Sequence, residues 1–406
     1  MRNIFIILIT ATQLFAFLET RTSLNETEVL DSLDIDRSFI NSSLYRSFED
    51  PSRHASQQTF FASMNRGFSY VPKVRQKIQD SQIPEAFLYM AMAESGFSLR
   101  AYSSASASGL WQFMPLTGKR FGLEINEYVD ERRDPIKSTE AAIEYLKYLH
   151  DRFDKWYLVA LAYNGGEGRL SRAISRAGTD DLEVLIDPQK RYLPRETRQY
   201  IKRIVNFALI AQNRELMLSQ NFEYLLNRGE AYSLARVTVP GGESLERVSQ
   251  IIRVNMRDLK LYNPHLKYGI TPPYAKEYDI YIPYMNLIDF KARYNSDDIE
   301  SFFVVHEVQR GDSIGAIANK YGLRSSVVMA YNSLDSHIIH PGQTIVVPVP
   351  RQDYQQRLNP RVYEVQSGDT LSKIARKFNI SVSKLKQINN KTDNMVFIGE
   401  QIVVSN

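Results

Sequence analysis

The 406-residue chain contains no cysteine. That excludes disulfide staples, thiolate metal sites and lipid attachment through an N-terminal cysteine, so stability has to come from packing. Histidine is scarce. His54, His150, His265, His306, His337 and His340 show no ligand spacing with acidic partners, and His337 and His340 form a lone i, i+3 pair of loop character. No glycine loop of the phosphate-cradling kind occurs, and the basic residues do not gather into a stripe that would grip nucleic acid. These absences predict no metal, no cofactor and no nucleic-acid partner. Long apolar runs are missing too. The longest, Ile4 to Phe17, is fourteen residues and is broken by Thr10, Thr12 and Gln13. A membrane-spanning helix needs about 20 residues.

The same run is informative for its place. A positive start at Arg2, a short apolar stretch and a small residue at Ala16 precede polar sequence, as in a secretory leader. Residues 1–17 are therefore expected to be a signal peptide, which makes the protein exported and periplasmic. Membrane association stays open, resting on whether the leader is kept. The net charge of +4 is modest, and residues 303–406 alone hold twelve Lys/Arg against eight Asp/Glu. A mildly basic surface there suits either an acidic polymer or plain solvation.

Texture divides the rest. Residues 18–58 are polar and read as a linker or loosely ordered arm. Residues 59–222 are patterned as helices. Pro84 precedes the apolar run Ala86 to Ala93, and Ser138-Thr139-Glu140 reads as the cap of an amphipathic helix through Leu149. Trp156 to Tyr163 ends at Asn164-Gly165-Gly166, and Glu196 to Asn213 carries Ile201, Ile204, Val205 and Ala208 on one side. Past residue 225 short β-like runs alternate with short helices.

This second region repeats itself. His306 to Ser313 matches Tyr363 to Thr370 at an offset of 57, held without a gap through Asn332 and Asn389 to Ile345-Val346-Val347 and Ile402-Val403-Val404. A degenerate copy opens at Val239-Pro240-Gly241-Gly242-Glu243-Ser244 and contains Tyr262-Asn263; its close at Tyr281-Ile282-Pro283 comes about four residues late. Each copy reads strand, Gly-Asp-Ser/Thr turn, two helices, turn, strand, with the Asp or Ser/Thr capping the first helix. The copies span 235–284, 303–348 and 361–405. They resemble the LysM module, on the Val-Gln-x-Gly-Asp-Ser/Thr opening, the central Asn and the closing Gly-x-x-Ile-Val-Val. The resemblance implies binding of N-acetylglucosamine-containing glycans in a shallow groove between the turn after the first strand and the turn before the last. It points to Gly311, Asp312, Ser313 and Ile314, and to Gly368, Asp369, Thr370 and Leu371. Each is equally readable as a cap or fold residue.

In the helical region, Glu94 ends an apolar run and is followed by Ser95-Gly96. Desolvation and the negative end of a helix both raise a carboxyl toward the range of a general acid, although an exposed helix-end glutamate fits the position as well. Gly109-Leu110-Trp111-Gln112 embeds one amide in an apolar stretch, and Ala162-Tyr163-Asn164-x-Gly ends a helix with two polar groups. In this order, with Asp130-Glu131-Arg132-Arg133-Asp134-Pro135 and Leu193-Pro194-Arg195-Glu196-Thr197-Arg198-x-Tyr200, the segments resemble the lytic transglycosylase domain, the lysozyme-like fold of glycoside hydrolase family 23. The expected architecture is thus multidomain, an all-α lysozyme-like catalytic domain followed by small βααβ modules.

The resemblance implies cleavage of peptidoglycan glycan strands by one carboxylate, Glu94, acting as acid and then base. Ser95, Gln112, Tyr163, Asn164 and Tyr200 would hold substrate or orient Glu94, and Trp111 either walls the pocket or fills the core. Glu124, Asp130, Asp134 and Glu167 fit surface, cap or ion-pair roles. Two alternatives stand beside this: a true hydrolase of the same fold, similar to goose-type lysozyme, which needs a second acid, and a non-catalytic wall-binding scaffold.

Overall fold

The computed structural model describes residues 26–46, 53–220, 222, 233–351, 362–378, 380–389, 391 and 393–404. The expected leader, 1–17, lies outside the described residues. The chain divides into two compact units. The first comprises Met1–Ala235, Tyr262–His265 and Ile282–Leu287; the second comprises Arg236–Leu261, Leu266–Tyr281 and Ile288–Asn406.

The first unit is helical. Its main elements are α1 (Arg53–Arg66), α2 (Val71–Asp80), α3 (Ala86–Ser95), α4 (Pro115–Arg120), α5 (Lys137–Phe153), α6 (Trp156–Gly165), α7 (Glu167–Ala177), α8 (Leu182–Ile186) and α9 (Arg195–Gln212). Helix α3 is apolar all round and has Ala86 through Met92 buried, as befits a helix enclosed by others. It packs on α9, α9 packs on α6, and α6 on α5. Phe60 of α1 joins this core against Tyr89 of α3 and Phe207 of α9.

Two expectations are corrected here. The stretch 18–58 is not a loose arm where it is described. Residues 26–32 are helical, and Val29, Leu30, Leu33, Ile35, Phe39 and Tyr45 are buried. The Leu33 carbonyl accepts from the Tyr157 amide at 3.0 Å, and the Asp34 carboxylate accepts from the Trp156 amide at 2.9 Å. A polar composition hid a narrow apolar stripe at i, i+1 and i+4. The cap of α5 is likewise Asp134 rather than Ser138: its Oδ1 accepts from the amides of Ile136 and Lys137, both at 2.9 Å. Ser138 and Thr139 lie inside the first turn and donate back to the carbonyls of Asp134 and Pro135.

The second unit holds the repeats. Three two-stranded sheets pair β1 (Leu234–Pro240) with β2 (Glu277–Pro283), β3 (Ser301–Glu307) with β4 (Thr344–Pro350), and β5 (Val362–Glu364) with β6 (Gln401–Val403). The last two sheets are antiparallel, with His306 opposite Ile345 and Tyr363 opposite Ile402, so the 57-residue offset holds in space. The core of one copy contains Ile314, Ile317, Ala318, Val328 and Ile345. Its counterpart contains Leu371, Ile374, Ala375, Leu385 and Ile402.

The central Asn explains itself. Asn332 donates to the carbonyls of Val328 and Val346 and accepts from the Val346 amide, all at 2.7 Å. Asn389 does the same with Leu385 and Val403 at 2.8 to 2.9 Å. One amide thus ties the second helix to the last strand, which a small core benefits from.

Candidate active site

Glu94 is the penultimate residue of α3. The helix stops at Gly96, in the left-handed region at φ 56°, where a side chain is disfavoured. The Gly96 carbonyl accepts from Arg66, and the Phe97 carbonyl from the Tyr70 hydroxyl. Helix α9 delivers Tyr200, 1% exposed, whose hydroxyl donates to Glu94 Oε1 at 2.5 Å. Burial pushes the half-buried Glu94 carboxyl up to about 7; the Tyr200 hydrogen bond and Arg203 pull it down, and Glu196 adds to the rise. Burial also lifts the Tyr200 and Tyr163 hydroxyls well above the ordinary tyrosine range, with the Glu94 charge adding to both. Both phenols are therefore neutral donors in the working pH range.

A compact strap, residues 101–113, faces this helix end, with bridges pairing Tyr102 with Ser108 and Ser108 with Phe113. Ser95 Oγ donates to the Leu110 carbonyl at 2.7 Å, and Tyr163 Oη to the Trp111 carbonyl at 2.8 Å. Gln112 stands at φ 48° and donates its amide nitrogen to the carbonyls of Gly109 (2.9 Å) and Ala101 (3.3 Å). Two carbonyl partners fix which end is nitrogen and so which end is the accepting oxygen.

The strap is anchored from behind. Arg132 and Asp130, each 4% exposed, form a bidentate pair with both bonds at 2.8 Å. The remaining Arg132 nitrogen donates to the carbonyls of Ser106 (2.7 Å) and Phe113 (3.1 Å). Gly109, at φ 83°, lies so close to the Arg132 carbonyl that a Cβ would meet it at 1.7 Å. The Trp111 indole donates to Thr139 Oγ1 at 2.9 Å, and the ring is fully buried. Of the two roles left open for Trp111, core anchoring is the one the structure shows.

The hydrogen bonds thus bring Glu94, Ser95, Trp111, Gln112, Tyr163 and Tyr200 into one cluster. Asn164, half-buried on the last turn of α6, directly follows Tyr163. The other acids have partners elsewhere: Asp130 holds Arg132, Asp134 caps α5, Glu124 accepts from Asn126, and Glu167 binds Arg152 and Tyr148. Sequence reasoning missed Arg203 and Glu196, both sensed by Glu94. Their spacing from Tyr200, four residues before and three after on one helix, was the available signal.

In the modules, every expected groove residue has a local role. Gly311 and Gly368 adopt φ 96° and 83°. Asp312 accepts from the Gln309 amide and pairs with His306, each at 2.9 Å. Asp369 accepts from the Tyr363 hydroxyl at 2.7 Å and the Gln366 amide at 2.9 Å. Those bonds hold both carboxyls below the usual carboxylate range. Ser313 and Thr370 are the helix caps, accepting from Ala316 and Lys373. Ile314 and Leu371 are a correction: each is 1% exposed and belongs to its module core, so their side chains are not available to a ligand. Their apolarity was the sign of a core position. The closing turns instead expose Ile338 in one copy and Met395, Phe397 and Ile398 in the other.

Comparison with known proteins follows the same divisions. The family model described as Transglycosylase SLT domain matches residues 73–186, that of the LysM domain matches 306–348 and 363–405, and that of the Lytic transglycosylase MltD, LysM-like domain matches 233–299. The chain is 27% identical over 350 residues to the membrane-bound lytic murein transglycosylase D of Escherichia coli K12, covering 81% of this chain and 75% of that protein. It is 41% identical over 111 residues to a putative tributyltin chloride resistance protein of Alteromonas sp. strain M-1, covering 27% and 54%. Among solved structures, the 70 kDa soluble lytic transglycosylase of Escherichia coli aligns at 22% identity and a TM-score of 0.30, over 52% of this chain and 31% of that one.

Proposed function

We propose, starting from a chain that belongs to the lytic transglycosylases built of an SLT domain and LysM modules, that it cleaves the MurNAc-β-1,4-GlcNAc bond of peptidoglycan without water. The observation that carries this is Glu94, a carboxyl near pKa 7 that takes the Tyr200 hydroxyl as donor. A group protonated up to neutral pH can give its proton to the glycosidic oxygen. The substrate's N-acetyl group stabilises the developing cation at C1. Glu94, now ionised, takes the proton from the MurNAc C6 hydroxyl, and that oxygen closes on C1. The proton given equals the proton taken, and the product ends in 1,6-anhydroMurNAc. Proximity of the C6 hydroxyl stands in for the second carboxylate of ordinary glycosidases.

Around this acid, Ser95, Tyr163 and Tyr200 fix the strap and the carboxyl, while Gln112 and Asn164 bind the sugars. The LysM modules hold the glycan near the enzyme. Export by the leader places the reaction in the periplasm, at the wall. Among the described residues no helix is long and apolar enough to cross a membrane.

Product analysis by mass spectrometry tests the chemistry. Wild-type digests should carry anhydro ends, and Glu94→Gln should yield none. Reducing ends from the wild type would instead favour hydrolysis, with Glu196, the other carboxylate felt by Glu94, as the acid to substitute next.

A further inference from the structure

Building on the proposed glycan binding by LysM modules, we infer that the first of the three copies is a closed module whose groove takes no glycan and whose opening turn joins it to the second copy. In each copy the candidate groove lies between the turn after the first strand and the turn before the last. In the second copy both turns are open. Gln309, Arg310, Gly311 and Ser313 are exposed on one side, and Ile338, His340, Pro341 and Gly342 on the other. A Cβ added at Gly311 or Gly342 would meet nothing within 4 Å, and the same holds at Gly368 and Gly399 of the third copy.

The first copy differs at its opening turn and at the segment folded against it, while Tyr274 and Lys276, just before β2, stay exposed. Gly241, Gly242, Glu243 and Ser244 are all buried, as are Gly269, Ile270, Thr271 and Pro272 opposite them. The two turns bond directly to each other. Gly242 donates to the Thr271 carbonyl at 3.1 Å, the Glu243 amide donates to Thr271 Oγ1 at 2.9 Å, and the Thr271 amide donates to the Glu243 carbonyl at 2.9 Å. A Cβ on Gly241 would lie 2.0 Å from the Ala275 carbonyl and 2.5 Å from that of Pro272. The physical cause is the late close of this copy. Its additional residues let the second turn fold back over the first.

What remains of the opening turn is occupied by the chain itself. Glu243, which stands where the other copies have Asp, is 2% exposed. Its carboxylate accepts from Arg247 and from the Tyr294 hydroxyl, each at 2.8 Å. Arg247 also donates to the Asn295 carbonyl at 2.9 Å. The Gly242 carbonyl accepts from the Phe303 amide of β3 at 2.8 Å, and Tyr268 bonds Thr344 of β4 at 3.2 Å. Donors and acceptors that a sugar would need are used to fasten the first copy to the second. A buried, paired carboxylate also resists opening, because exposing one partner alone leaves a charge without compensation.

The test uses the full chain carrying Glu94→Gln, so that glycan is bound and not cut. Retention on insoluble peptidoglycan is titrated for three exposed positions, one per copy, each changed to Glu so that any general repulsion is shared: Tyr274→Glu, Ile338→Glu and Phe397→Glu. Thermal melts check that each variant folds. Ile338→Glu and Phe397→Glu should each weaken retention by about tenfold, as loss of a contact residue does, and Tyr274→Glu should leave it within about twofold. Weakening by Tyr274→Glu comparable to the other two overturns the closed module. Indifference to all three overturns it together with the glycan-binding role it rests on.

Discussion

Glu94 stands between opposed influences, and their balance makes definite demands on pH. Desolvation raises its carboxyl to about 7, and the Tyr200 hydroxyl stabilises the ionised form. An acid that must be protonated in the free enzyme gives a kcat/KM that is flat below about pH 7 and falls tenfold per unit above it. Tyr200→Phe removes a donor to the charged form, so the alkaline limb should move up by about one unit, since such a bond contributes about 1.5 kcal/mol. A limb that moves down or stays would contradict the assignment. The same group should mark stability. Its folded pKa lies above the unfolded value of 4.5, so its contribution is full below that pH and is lost as pH rises through 7. Relative to wild type, Glu94→Gln should gain stability between pH 4 and pH 8, by at most about 3 kcal/mol. Chemical denaturation at the two pH values measures this.

Among the elements, the strap and the module staples carry most of the local order. Arg132→Met replaces the bidentate pair of buried Asp130 with the longer 3.8 Å contact to Arg133, so the cost should fall at or below the low end of the about 3 to 5 kcal/mol seen when a buried pair is broken. It also frees the Ser106 and Phe113 carbonyls, and with them the segment that presents Gln112. A lowered melting temperature with a loss of kcat/KM beyond what the folded fraction explains is the expected result. In the last repeat, Asn389→Ala removes three hydrogen bonds between helix and strand. At about 1 kcal/mol each, the module should lose about 3 kcal/mol. Hydrogen exchange should report it at Val403, whose amide donates to the Asn389 side chain.

On the scale of the whole molecule, the helical unit begins earlier than its motifs. Leu33 is fully buried, and its carbonyl accepts from the start of α6, the helix that ends at Tyr163 and Asn164. Leu33→Ala should lower the stability of this unit by about 2 to 4 kcal/mol, readable as a shifted melt, whereas a residue of a loose arm would change nothing. The three repeats divide in the same manner. Two offer open turns with apolar residues at the rim, and one has turned its groove inward.

How much of this was legible beforehand follows from what each feature depends on. Glu94, its apolar helix and the glycine that ends it are local, as are the caps Ser313 and Thr370 and the period of 57, so composition and spacing carry them. The Tyr200 contact spans 106 residues and was reached only through the motif it belongs to. Arg203 and Glu196 gained meaning only once α9 was laid against α3. Ile314 and Leu371 read as ligand contacts because a turn was visible in the sequence and its packing was not.

By itself the sequence determined the two kinds of architecture, the candidate acid and the repeat, because hydrophobic period, caps and glycine turns act between near neighbours. Only the tertiary structure decided the raised pKa of Glu94, the buried pair behind the strap, the inclusion of the supposed arm and the closure of the first repeat. Desolvation and hydrogen bonding act through space, between groups that the chain itself holds far apart.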